Sequence, residues 1–382
     1  MSVHRTRRKD GATVFVVRWR EGDTNRQRTF DRRRDAELYD GEVRRRRQLG
    51  SLHTLDAGSE TLHEYVTQVW GPAFLRDLAP RTRELYADLY DRLVQPYLGS
   101  TSLRELTPET IARWQSDRLG AGTGRESVRK AFTLLGSILQ RAHEAQRIVS
   151  NPQRLVRKAK ASRREEVRPL APATVEAMRA HLLDGGSRHP LRDATLLSVL
   201  AYAGLRPGEA LALRWGDVSE HSLLVQRAVA LGAEKGTKTG RNRTVRLLDP
   251  LRRDLAMWRL ASGRPDHRAL VFPADDGGVW TREAYGSWRR RAFASAATAA
   301  GAEDAHPYAL RHSFASLLLH EGRGVPYVAR QLGHGAALTL GTYGHVMDDL
   351  DASPNQPAEA AIVAARKALV RVSFAPAVEQ IG

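Results

Sequence analysis

The chain has 382 residues, enough for two or three domains at roughly 150 residues each, and its formal charge of +17 draws it toward anionic partners, nucleic acid first. With no cysteine, disulfides, thiolate zinc sites and a cysteine nucleophile are excluded. Its longest uncharged apolar stretch, Thr195 to Leu205, is far short of the roughly 20 residues a membrane helix needs, and the charged opening does not read as a secretion signal, so no membrane contact and a cytoplasmic location are expected.

Residues 1–50 carry fifteen Arg or Lys against eight Asp or Glu. Within them Val14 to Arg20 is a β-rich run, Gly22-Asp23 marks a turn, Gln27 to Phe30 returns as a second strand, and a charged helix starts at about Arg33. A basic, β-rich domain over 1–55 is expected, its sheet presenting Arg18, Arg20, Arg26 and Arg28 either to a DNA groove or to solvent. From 56 to 150 the pattern is helical. Thr61-Leu62-His63-Glu64 is a capping box, Thr107-Pro108 a helix start, and Val128, Phe132, Leu135 and Leu139 recur at helical spacing as core.

Asn151-Pro152 breaks that pattern, and Arg157, Lys158 and Lys160 give the 151–168 stretch the look of a basic linker, either laid along a phosphate backbone or merely a solvated tether. A third segment, 169–350, starts near Pro172. The 351–382 tail crosses a Pro-rich break into a helix over Ala358 to Leu369, suited either to docking on a neighbouring subunit or to packing on its own domain.

The residues that carry chemistry lie in 169–350. Ala203-Gly204-Leu205-Arg206-Pro207-Gly208-Glu209 sets an arginine between a glycine turn and a helix start, where its fork can meet phosphate oxygens and Glu209, three residues on, can orient it. Pro307-Tyr308-Ala309-Leu310-Arg311-His312 follows, then Leu332-Gly333-His334 and, nine residues beyond His334, Tyr343. No clustered Asp, Glu and His suggest a metal site, and no GxxxxGK[ST] loop is present, so neither a metal nor another cofactor is expected.

Together, and in this order, these motifs resemble the tyrosine recombinase or phage integrase family. The resemblance implies a multidomain fold: a β-rich arm-binding domain, an all-α core-binding domain, and a mainly α catalytic domain with a small sheet. It implies a DNA strand transferase that cleaves and rejoins DNA through a 3′-phosphotyrosyl bond, integrating or excising a mobile element. Tyr343 would be the nucleophile, Arg206 and Arg311 the phosphate clamp, and His334 a hydrogen-bond partner.

The pattern also asks for a lysine on a β-hairpin between the two arginines. Leu223 to Val229 and Thr244 to Leu248 read as its strands. The loop between them offers Lys238, preferred because Arg243 and Val245 then match the following strand, and Lys235 as an alternative; Arg243 is expected to face DNA. One position departs: three residues before Arg311 the family's histidine is replaced by Tyr308, with His306 nearby as a competing donor. The implied partners are double-stranded DNA with core and arm sites, a homotetramer assembled on it, and a DNA-bending host factor or excisionase. The competing readings are a DNA-binding protein of the same fold with weakened catalysis, or a type IB topoisomerase.

Overall fold

The computed structural model describes residues 3–8, 11–52, 55–162, 168–230, 232–236, 242–350 and 356–373. The chain divides into two units, Met1–Arg164 and Glu165–Gly382. Among the described residues no helix is long and apolar enough to cross a membrane.

The first unit opens with an antiparallel sheet of β1 (Val3–Arg7), β2 (Thr13–Glu21) and β3 (Thr24–Phe30), with α1 (Arg33–Gln48) against it. β1 has too polar a sequence to read as a strand alone; pairing with β2 supplies its hydrogen bonds. Val17 and Trp19 of β2 pack with Ala36 and Val43 of α1, so strand alternation turns Arg18 and Arg20 to the opposite face. Cross-strand register puts Gln27 and Asn25 beside these two arginines, whereas Arg26 and Arg28 stand opposite Trp19 and Val17, on the helix side. The four arginines expected on one surface therefore occupy two faces, and the Arg28 guanidinium lies 5.0 Å from the Tyr39 ring centroid.

A separate helical core follows. The α2 helix (Leu62–Tyr65) starts at the Thr61–Glu64 capping box and continues through a π turn. Together with α3 (Pro80–Leu89), α4 (Pro108–Gly120) and α5 (Arg125–Glu144) it buries Tyr65, Leu89, Trp114, Phe132, Leu135 and Leu139. The Thr107 hydroxyl caps α4, as the sequence predicts. The start of the stretch expected as a basic linker is docked on these helices. The Gln115 amide bridges the backbone at Arg157 and Ala159, and the Lys158 ammonium donates to the Thr133 hydroxyl at 2.6 Å. The Arg157, Lys158 and Lys160 side chains stay exposed.

The second unit begins with α6 (Pro172–His181) and is organised around the next helix, α7 (Pro190–Tyr202). Every residue of α7 from Arg192 to Tyr202 is buried. The uncharged run that begins at Thr195 is thus a helix apolar all round because it is surrounded by others. Against it pack α6, α8 (Pro207–Leu211), α9 (Asp249–Ala261) and α11 (Pro307–His320), and the unit also holds α10 (Arg282–Trp288), α12 (Val325–Leu332), α13 (Ala336–Leu350) and α14 (Ala358–Ser373).

The small strands differ from expectation. The run from Leu223 to Val229 splits in two: β4 (Ser222–Val225) pairs with β7 (Arg243–Arg246), while β5 (Arg227–Ala230) turns back onto β6 (Ala233–Gly236). The C-terminal helix packs on its own unit. Ala358 and Ile362 are fully buried, and Arg366 reaches the buried carboxylates of Glu176 at 3.0 Å and Asp254 at 2.7 Å.

Candidate active site

Two glycine turns set the positions of the charged groups. Gly204, just after α7, has φ +59°, and a Cβ there would lie 2.4 Å from the Phe314 ring, so no side chain fits. The turn exposes the Gly204 carbonyl, which accepts from Arg311, and delivers Arg206 to the N-cap of α8. Gly333 closes α12 in the left-handed conformation at φ +67°; a Cβ would meet Arg243 Cδ at 2.8 Å. His334 follows directly.

Arg311 is 1% exposed despite its charge. Its guanidinium is held by the carbonyls of Gly204 and Leu332, which belong to the first and third motifs. Burial and the nearby Arg206 charge pull it below the usual guanidinium range. Such a cation, desolvated and surrounded by neutral acceptors, is poised for an anion.

Glu209 is the counterweight. Its carboxylate accepts from the Arg206 backbone at 2.8 Å, the Arg206 guanidinium at 2.8 Å, and two Arg243 nitrogens at 2.9 and 2.7 Å. Burial works against the charged form, yet the Arg243 hydrogen bonds and both guanidinium charges hold the carboxyl at about 2. Arg243 Nε donates to the Gln331 carbonyl at 3.0 Å. Arg243 is therefore not the DNA-facing residue expected: its side chain is 9% exposed and its donors are directed inward, tying β7 to α8 and to the end of α12.

His334 Nδ1 lies 2.9 Å from the Thr339 hydroxyl. Burial and the charges of Arg311, Arg206 and Arg243 pull its imidazole down to about 4, so it is neutral at pH 7. Tyr343, on α13, is 1% exposed, and its phenol is 2.6 Å from His312 Nδ1. Burial pushes that phenol up to about 12, with Arg311 opposing. Tyr308 sits on the same helix face as His312, one turn earlier, with ring centroids 5.5 Å apart; it is 41% exposed and interacts with Arg206. His306 is occupied elsewhere: its Nδ1 accepts the Ala309 amide at 3.1 Å as the N-cap of α11.

The structure thus brings together Arg206, Glu209, Tyr308, Arg311, His334 and Tyr343, and adds Arg243 from the expected DNA contacts. Lys238 lies outside the described residues. Lys235 is exposed on β6 opposite Ala228, in a hairpin anchored where Arg214 meets Glu234 at 2.8 Å. His312, which touches the Tyr343 hydroxyl, is not among the residues the sequence singles out, although its motif stands out. The available signal was the i, i+4 spacing from Tyr308, which puts both rings on one helix face.

Residues 168–349 match the Phage integrase family. The chain is 32% identical over 201 residues to the integrase of Mycobacterium phage L5, covering 51% of this chain and 50% of that protein, so this match spans about half of that relative's length. It is 32% identical over 286 residues to a tyrosine recombinase XerC of Methylobacterium sp. (strain 4-46), covering 71% of this chain and 85% of that one. Among solved structures, the integrase of transposon Tn1549 in complex with a circular intermediate DNA shares the fold, with TM-score 0.63 at 18% identity over 74% of this chain and 95% of that one.

Proposed function

Because this chain belongs to the phage integrase family, we propose that it is a site-specific tyrosine recombinase that cuts and rejoins duplex DNA to integrate or excise a mobile element. The observation that carries the reading is the convergence of Arg206, Arg311 and neutral His334 beside the buried Tyr343 hydroxyl. A cluster of cations around a phenol is costly in an empty protein and useful around a phosphodiester.

In this reading Tyr343 Oη attacks a backbone phosphorus, the P–O5′ bond breaks, and a 3′-phosphotyrosyl link and a 5′-hydroxyl result. Arg206 and Arg311 meet the two non-bridging oxygens as charge grows on the pentacoordinate phosphorus. His334, being neutral, and the Tyr308 hydroxyl add hydrogen bonds without adding charge. The leaving oxygen takes a proton from a lysine, Lys238 or Lys235. One ester is exchanged for another, so ATP is not required, and the guanidiniums supply the positive charge that a metal would otherwise supply.

The domain assignment belongs to the same proposal. The 1–55 sheet takes arm sites, presenting Arg18 and Arg20 with Asn25 and Gln27 on the face away from α1. This residue set suits base edges in a groove. Residues 56–150 take the core site, and 169–350 perform the chemistry. Exchange between two duplexes involves four strand cuts, hence four Tyr343 residues and a homotetramer on DNA, with a DNA-bending host factor or excisionase setting direction.

The test uses nicked suicide duplexes built from the sequences flanking the gene. The full chain should form a covalent adduct that survives denaturation, and Tyr343→Phe should bind the same DNA with unchanged affinity and form none. An adduct with the variant would unseat Tyr343. An intermolecular joining assay beside a relaxation assay separates recombinase from topoisomerase.

A further inference from the structure

We propose that His312 is a catalytic residue, the base that takes the Tyr343 proton as the phenol attacks phosphorus. This rests on the recombinase reading above and assigns a step which that reading leaves without an agent.

The geometry is direct. His312 Nδ1 is 2.6 Å from Tyr343 Oη, within the distance expected of a base and the proton it removes. The two rings are 5.4 Å apart at 59°, and Tyr308 packs edge-on against His312 from the preceding helical turn, so the imidazole is held between two phenols. Tyr343 is 1% exposed, which keeps bulk water from serving as the base.

The neighbours leave His312 as the acceptor. Arg311 carries no lone pair for a proton, and Tyr308 is a phenol, a donor at neutral pH. His334 faces three arginine charges, which disfavour an imidazolium there. His312 Nδ1 accepts in the tautomer with its hydrogen on Nε2. The step balances within this set. The Oη–H bond breaks and its proton passes to His312 Nδ1; the Oη–P bond forms as P–O5′ breaks, and O5′ is protonated by the separate lysine donor. On rejoining, the His312 imidazolium returns the proton to Oη.

A merely positioning His312 would act through its hydrogen bond alone, which a glutamine can replace. The test is single-turnover adduct formation by the full-length protein on the suicide duplexes described above, comparing wild type, His312→Gln and His312→Ala. Thermal melting and DNA affinity are measured alongside. Loss of the base should slow cleavage by about a hundred- to ten-thousandfold in both variants, while affinity stays unchanged. The acid limb of the wild-type pH–rate profile should flatten in both. On a duplex with sulfur at the bridging 5′ position, where the leaving group needs no proton, the defect should persist.

A His312→Gln variant at the wild-type rate overturns the proposal and leaves the histidine a positioning role. A defect erased by the sulfur substrate also overturns it, by moving His312 to the leaving-group side. If the wild-type chain forms no adduct, the recombinase reading fails and the proposal falls with it; an unimpaired His312 variant beside an active wild type and an inactive Tyr343→Phe overturns only the proposal.

Discussion

Glu209→Gln is the most informative single change in the second unit. The carboxylate is 4% exposed and carries hydrogen bonds from the Arg206 backbone, the Arg206 guanidinium and both terminal nitrogens of Arg243. Its folded value near 2 against an ordinary 4.5 corresponds to about 3 kcal/mol at roughly 1.4 kcal/mol per pH unit. That agrees with the ~3–5 kcal/mol lost when one partner of a buried ion pair is removed. Glutamine keeps the shape but turns an amide N–H₂ toward one of the guanidiniums. For a unit of this size the melting point should fall by about 6–12 °C at pH 7.

The pH dependence identifies the charge as the cause. A carboxyl depressed in the folded state stabilises fully above its unfolded value and loses that contribution as pH falls toward the folded one. The gap between wild type and Glu209→Gln should therefore be constant from pH 8 to about 5, start to close below 4.5, and shrink to less than half of its pH 7 size by pH 3. Urea unfolding of both proteins across that range measures it. A gap that is absent at pH 7, or that does not change between pH 7 and 3, would refute the account of Glu209 as an ionised clamp.

Other expectations follow from single contacts. Gly204→Ala places a Cβ 2.4 Å from Phe314 at a left-handed φ of +59° and displaces the carbonyl that holds Arg311, so both melting temperature and cleavage rate should drop. Tyr308→Phe should slow single-turnover cleavage by roughly ten- to a thousandfold through one lost transition-state hydrogen bond. His306→Ala, which removes only a helix cap, should lower stability by about 1 kcal/mol and leave the chemical step nearly unchanged; the reverse pattern would transfer the role to His306. Footprinting of a chain lacking residues 1–55 should show arm-site protection lost and core-site protection retained, whereas equal loss at both would sink the domain assignment.

Much of this protein was legible in one dimension because its signals are local. Capping boxes, proline at helix starts and the apolar spacing of α5 depend on neighbours within a turn or two, and they appear where the residues predict them. The motifs around Arg206, Arg311, His334 and Tyr343 were equally readable, since each is a short stretch whose turn chemistry is written in its glycine or proline.

Tertiary structure decided what depends on which side chains face one another across long separations. β1 needed β2 beside it to become a strand, and the sheet's register, invisible to charge counting, divided its arginines between two faces. The arginine expected on DNA, Arg243, became an internal tie because Glu209, 34 residues earlier, was buried against it. His312 met Tyr343 across 31 residues, a pairing set by how α13 crosses α11. The tail, which composition left free to dock on its own domain or a neighbour, packed on its own unit, where Ala358 and Ile362 are buried and Arg366 joins Arg179 in pairing with the buried Glu176 and Asp254. Periodicity gives each helix its faces, but which face meets which is settled by burial of charge and shape together.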